Sequence, residues 1–414
     1  MHNAVARGPV RPTPPSERIQ RVDVLRGFAL FGVLLVNLFE SDTILPTAEE
    51  SWIGAAVNFL AEGSFYPLFS LLFGLGFAIQ LSRFEERGQP FVVTYVRRAL
   101  SLVAIGVALW VFLLGNPILM RYGSLALLLL LFRHASARAA LIASVVMFAI
   151  VLAVGPARKA WADHQRANPV TSAQFRKDAA ASQAQANLIR ARSDAAMKTG
   201  SYGDIVAVRS QSAFTLLAKP WFYLNSHNLH MFVMFLLGLF TARRGLITNV
   251  EVDRVFLRKA AIAGLALGVV GNAALLLLPR WTTGMTPFMQ RWVRDLVYYI
   301  ANPALGIAYG ASLVLLIDMS ETWRRRFSPL SWVGRMALTN FLLQFAFMLA
   351  LFYLQRSGAF QYTLPAVAVV LSVLLFAFQI WLSGWWLTRF HFGPAEWLWR
   401  ILTFGTAKPL RIQR

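Results

Sequence analysis

Two histidines three residues apart, His227 and His230, open an apolar stretch and are flanked by Asn225, Ser226 and Asn228. At that spacing one helical face presents both imidazoles. Imidazole, with a reference pKa of about 6.5, can take the proton of an acceptor hydroxyl near neutral pH. Both are therefore candidate catalytic residues, while Asn225 or Ser226 is equally suited to cap the helix that begins there. Two histidines do not make a zinc site, which ordinarily needs three protein ligands, and no metal is expected. Glu62 stands in a second apolar stretch with Asn58 and Ser64. A carboxylate there must be paired, protonated or wet, which makes it a candidate general acid or proton site. Asp23 and Arg26, three apart at the start of the first apolar run, suit either an interfacial ion pair or a clamp whose guanidinium fork grips a phosphate. Arg335 and Asn340, with Gln344 one turn further on, can complete an anion pocket with Arg26. Asn37 closes the first run as a candidate acceptor-binding group or an interhelical hydrogen bond. Arg291, Arg294 and Asp295, followed by Tyr298, Tyr299 and Asn302, offer a dock for an anionic glycan or lipid headgroup, or an aromatic interfacial belt with an ion pair.

The elements that must position these groups are membrane helices. Of 414 residues, 57% are hydrophobic and only 14% charged, too apolar for an ordinary soluble domain. The predicted fold is all-α, a polytopic membrane helix bundle of about ten spans. The runs lie at residues 24–39, 57–81, 98–115, 117–132, 138–155, 228–242, 260–278, 295–317, 335–354 and 363–387. Pro117 and Arg121 interrupt the fourth, which is short to cross alone. The absence of cysteine excludes disulfides, thiolate metal sites, iron–sulfur clusters and a cysteine nucleophile.

A net charge of +21 would in a soluble protein suggest nucleic acid, but here its distribution reads as topology. Alternating sides from a cytoplasmic N-terminus puts 25 of the 40 basic residues on the cytoplasmic side and five in short outer loops, as the positive-inside rule requires. Both termini are then cytoplasmic, and no nucleic-acid partner is expected. Removing the fourth span would place Arg324, Arg325 and Arg326 outside. Residues 156–219 are polar and Ala-rich, predicting an extracytoplasmic insertion that is helical from about residue 171 to 198. The expected organisation is a disordered tail over 1–20, five spans in 21–155, the insertion at 156–219, five spans in 220–388, and a cytoplasmic amphipathic helix and tail over 389–414. In that last segment Trp397, Leu398, Ile401 and Leu402 form an apolar face while Glu396 and Arg400 pair at four-residue spacing.

Four stretches carry a resemblance: Arg21 to Asn37 in the first span, Phe65-Tyr66-Pro67-Leu68-Phe69-Ser70 running on to Gly74 and Gly76, Gly334-Arg335-Met336-Ala337-Leu338-Thr339-Asn340, and Gly393-Pro394 through Glu396-Trp397-Leu398-Trp399-Arg400. Together they resemble the YeiB-like family of bacterial inner-membrane proteins, whose conserved portion is a domain of unknown function. The N-terminal stretch is also similar to a wider superfamily of transmembrane acyltransferases that carry an acyl group from cytoplasmic acyl-CoA to an acceptor across the membrane. That resemblance implies acyl-CoA as donor, held by Asp23, Arg26, Arg335 and Asn340, and a glycan, lipid or metabolite hydroxyl as acceptor. Many surface-polysaccharide members have His eleven positions after the first-span Arg, where this chain has Asn37. Asn116-Pro117-Ile118-Leu119 stands where Gly-Asp-Ile-Leu is common. A small-solute transporter using Glu62, Asn58 and Asn37, or a non-catalytic membrane partner, are the competing expectations.

Overall fold

A computed structural model describes residues 19–39, 52–113, 115–168, 172–217, 225–247, 250–359, 365–405 and 409–412. The expected N-terminal tail falls almost wholly outside them, as do Glu40, Asp42, Glu49 and Glu50 of the first outer loop.

The described residues are helical apart from turns and one antiparallel bridge, Phe390 to Arg411. Among the described residues, eight helical stretches are long and apolar enough to cross a membrane. They are α1 (Gln20–Phe39), the pair α2 (Trp52–Leu60) and α3 (Phe65–Glu86), α4 (Phe91–Phe112), α6 (Ala137–Ala167), α10 (Val250–Trp281), α11 (Pro287–Met319), α13 (Ala337–Arg356) and α14 (Pro365–Leu387). Two further apolar helices complete the series. One is α5 (Ile118–Leu129), which a 3₁₀ turn extends to Phe132, and the other is α9 (Ser226–Arg244). These ten coincide with the ten apolar runs. Between α6 and α9 stand α7 (Ser172–Thr199) and α8 (Tyr202–Leu217), where the composition predicts a helical insertion.

Burial sorts the bundle into a centre and a lipid-facing rim. α1 and α9 are central: Leu30, Leu34 and Leu38 on one and Phe235, Leu236 and Leu239 on the other are wholly buried. By contrast α6 and α10 expose Ile142, Val145 and Val146, and Ile262, Val269 and Val270, the apolar surface that lipid must cover. Glycines bring the central helices together. A Cβ on Gly74 would stand 2.0 Å from the Phe235 carbonyl oxygen, and one on Gly238 2.0 Å from that of Leu71, so α3 and α9 touch backbone to backbone.

Two elements differ from the linear reading. The second run is broken by a turn at residues 61–64, because Gly63 takes φ +70°, which only glycine adopts freely. Glu62 therefore sits in that turn rather than within a continuous helix. The triple-arginine segment, expected as a loop, is a helix, α12 (Glu321–Arg335). Ser320 caps it by accepting from the Trp323 N–H, and Trp323, Phe327, Leu330 and Val333 fall on one face. Its apolar residues are spaced for one stripe, so they form no continuous run. Met336, with φ −112° and ψ 33°, separates it from α13, and α15 (Pro394–Phe404) follows as the predicted tail helix, stopped by Gly405 at φ +71°.

The insertion is docked rather than hanging free. Arg209 on α8 donates to the carbonyls of Trp110 (2.8 Å) and Gly115 (3.3 Å), satisfying acceptors at the C-terminal end of α4. Burial pushes its guanidinium down to about 10.

A basic cavity and a histidine cavity

Where α1, α4 and α13 begin and α3 and α12 end, their side chains surround a cavity of about 300 Å³. Five arginines line it, Arg26, Arg83, Arg98, Arg335 and Arg400, against two carboxylates, Asp23 and Glu396. Arg26 bonds Asp23 at 3.2 Å, one turn apart on α1. Arg98 lies 3.7 Å over the Trp399 ring, whose indole N–H donates to the Arg98 carbonyl at 3.0 Å. Arg400 lies 4.1 Å over Phe392. These stacking contacts orient the guanidinium planes. Burial lowers Arg335, against the pull of the Asp23 charge. The Tyr95 hydroxyl, on a residue 2% exposed, and Arg335 Nε, both in this wall, lack a hydrogen-bond partner among the described residues. Unpaired buried donors are costly, and a wall of them beside surplus positive charge suits an anion with several oxygen acceptors.

Glu396 holds this end together. Its Oε1 accepts from the backbone N–H of Leu338 (2.6 Å) and Thr339 (3.1 Å), and its Oε2 is 2.5 Å from Thr339 Oγ1. The carboxyl thus caps the start of α13 from α15. Enclosure raises its pKa above the usual carboxylate range, with the bonds from Thr339 and Leu338 pulling the other way. A group raised on folding stabilises most fully below its unfolded pKa and loses that contribution as pH rises through the folded value. Glu396→Gln, which keeps the cap's acceptor oxygen, should flatten the decline of thermal stability with rising pH. Glu396→Ala should cost about 1–3 kcal/mol. Thermal unfolding of both variants in detergent between pH 4 and 8 checks this, and an unchanged slope in Glu396→Gln would rule it out.

At the opposite end of the helices, a second cavity of about 230 Å³ is lined by His227, His230, Arg121, Asn116, Tyr66, Ser70, Tyr298 and Tyr299, among others. Asn225 caps α9 by accepting from the Asn228 N–H at 2.9 Å, which fixes the first turn that carries both histidines. His230 is buried and its ring centroid lies 4.9 Å from that of Tyr299; His227 is the more exposed of the two. Tyr66 donates to Asn37 Oδ1 at 2.5 Å and accepts from Asn116 Nδ2 at 2.7 Å. Asn37 and Asn116 thus meet at a single hydroxyl.

The predicted site residues divide accordingly. Asp23, Arg26 and Arg335 come together, as do His227 and His230, with Asn37 linked to the second cavity through Tyr66. Asn340 is fully buried but outside the cavity lining, where it donates to Ser383 Oγ at 2.9 Å while its carbonyl accepts from Gln379 at 2.8 Å. It ties α13 to α14. Glu62 lines neither cavity. Arg291, Arg294 and Asp295 also lie outside both, with Arg294 and Asp295 paired at 3.6 Å near the surface; their helix contributes Tyr298 and Tyr299 instead. Arg83, Arg98, Arg400 and Tyr95 were missed as site residues. The one available signal was that three of them belong to the basic clusters used for topology.

Residues 241–406 match the family model described as a protein of unknown function, DUF418. The uncharacterized protein YeiB of Escherichia coli (strain K12) is 27% identical over 95% of this chain and 98% of its own length. This chain is also 28% identical to the uncharacterized protein YxaH of Bacillus subtilis (strain 168), over 97% of this chain and 98% of that one. An uncharacterized 39.9 kDa protein from the amylase 3′ region of Bacillus acidopullulyticus is 26% identical over 97% and 99%. The segment that the family model matches supplies Arg335, Glu396 and Arg400 to the basic cavity, while Asp23, Arg26, Arg83, Tyr95 and Arg98 precede it. The cavity is built from both halves of the sequence.

Proposed function

We propose that this protein resides in the bacterial inner membrane, with its arginine-rich cavity facing the cytoplasm, and moves an acyl group from acyl-CoA to a hydroxyl of a glycan, lipid or metabolite on the outer side. The observation that carries the reading is the five-arginine cavity, whose surplus of positive charge and unpartnered Tyr95 hydroxyl suit the phosphates of a coenzyme A thioester. The opposite cavity holds the histidines such a transfer needs. In the reaction His227 or His230 takes the acceptor's hydroxyl proton and the oxygen bonds to the thioester carbonyl carbon. The carbon–sulfur bond then breaks, and the departing thiolate gains a proton to give free coenzyme A. Asn37 stands where many surface-polysaccharide acyltransferases carry a histidine, and His227 and His230 would supply that function here.

Purified protein in nanodiscs should release coenzyme A from acetyl-CoA, with acetyl appearing on an added sugar or lipid acceptor. The His227→Ala, His230→Ala double variant should lose about 100-fold or more of that turnover, the usual weight of a general base. Equal turnover in the double variant would remove the histidines from the mechanism. Uptake of an unmodified solute by proteoliposomes without thioester cleavage would favour transport.

A further inference from the structure

The two cavities are separated by a thin aromatic wall. A void of about 10 Å³ lies between them, bounded by Phe69, Leu119, Tyr122 and Phe341, which also line the basic cavity, and by Tyr66 and Ile118, which also line the histidine cavity. Such a void holds about one water-sized group. Tyr122 occupies the centre of the wall and is 1% exposed. Its hydroxyl lies 2.7 Å from Ser70 Oγ and donates toward the Tyr66 carbonyl at 3.2 Å. Its ring is packed edge-on against Phe73 and Phe235, with centroids 5.5 and 5.3 Å away. Ring and hydroxyl are thus both fixed, and Ser70 itself faces the histidine cavity.

We infer that Tyr122 is a partition that sets the size of the group able to pass from the basic cavity to the histidine cavity. This rests on the acyl-CoA reading and narrows it. The thioester's acyl end reaches the wall, a short group fits into the void, and a longer one must displace Tyr122 from Ser70. Tyr122 is a specificity-determining residue in this scheme; it takes no proton and forms no bond with substrate.

The test is the affinity of nanodisc-embedded protein for coenzyme A and its acetyl, butyryl and hexanoyl thioesters. Wild type should bind hexanoyl-CoA about tenfold or more weaker than acetyl-CoA, equivalent to about 1.4 kcal/mol. Tyr122→Leu should close that gap to within about twofold. Ser70→Ala, which removes one of the two hydrogen-bond partners of the Tyr122 hydroxyl, should narrow it in the same direction, so the inference stays testable if Tyr122→Leu fails to fold. Equal binding across the series in wild type, or a gap unchanged in the variants, would overturn the partition while leaving coenzyme A as ligand. Failure of coenzyme A and every thioester to bind would overturn the acyl-CoA reading and the partition with it.

Discussion

Arg26→Gln combined with Arg98→Gln should weaken coenzyme A binding by about 100-fold or more, because each charged hydrogen bond to a phosphate is worth about 1.5–3 kcal/mol. Both guanidiniums face one cavity, Arg26 steadied by Asp23 and Arg98 by the Trp399 ring. Arg26→Lys and Arg98→Lys should recover only part of the loss, since an ammonium keeps the charge but forfeits the fork and the flat stacking face. Calorimetric titration in nanodiscs measures it. Arg291→Gln with Arg294→Gln, a change of the same net charge outside both cavities, is the control that should bind as wild type. If the control lost affinity equally, the effect would be one of overall charge and the basic cavity would not be the binding site.

Gly334→Ala should destabilise the protein by about 3 kcal/mol or more, at the upper end of what overpacking a tight interface costs. A Cβ there would stand 1.8 Å from the Asp23 carbonyl oxygen, and on the facing side one at Gly27 would stand 2.1 Å from the carbonyl oxygen of Leu330. Backbone faces backbone across this crossing of α1 and α12, so no side chain can turn aside and the helices must separate. Asp23 and Arg26 ride on one helix and Arg335 on the other, so the basic cavity opens as they part. Gly155→Ala, whose nearest neighbour would be Trp292 at 3.9 Å, should leave the melting temperature unchanged or slightly raised, as alanine is the better helix former. Thermal unfolding in detergent compares the two; similar melting temperatures would mean the α1–α12 crossing is pliable.

Sequence patterning went far with the bundle and less far with the sites, for definable reasons. Spans are legible because each is a long apolar run whose flanking charges are counted locally. α12 is not, because its apolar residues are spaced along one face and form no continuous run. Helical spacing correctly paired His227 with His230 and Asp23 with Arg26, since three-residue neighbours share a face whatever the tertiary fold. Joining Arg26 to Arg98 or Arg400 needs to know which helix ends meet. The basic clusters mark one end of the helices without saying which of their members turn inward. Asn340 and Glu62 show the converse. Polar residues in apolar runs attract a functional reading, yet Asn340 fastens one helix to the next, and Glu62 sits in the turn that Gly63 imposes.

The way α15 closes the basic cavity bears on how the protein is made. Arg26 leaves the ribosome long before Arg400, and Glu396 must reach back to cap α13 before that end is sealed. Contacts of such separation form late, after the chain between them is ordered. During synthesis the early helices must wait in the bilayer with Arg26, Arg83 and Arg98 solvated at its surface. A chain truncated before residue 394 would retain α1 to α14 and still lack one wall of the cavity.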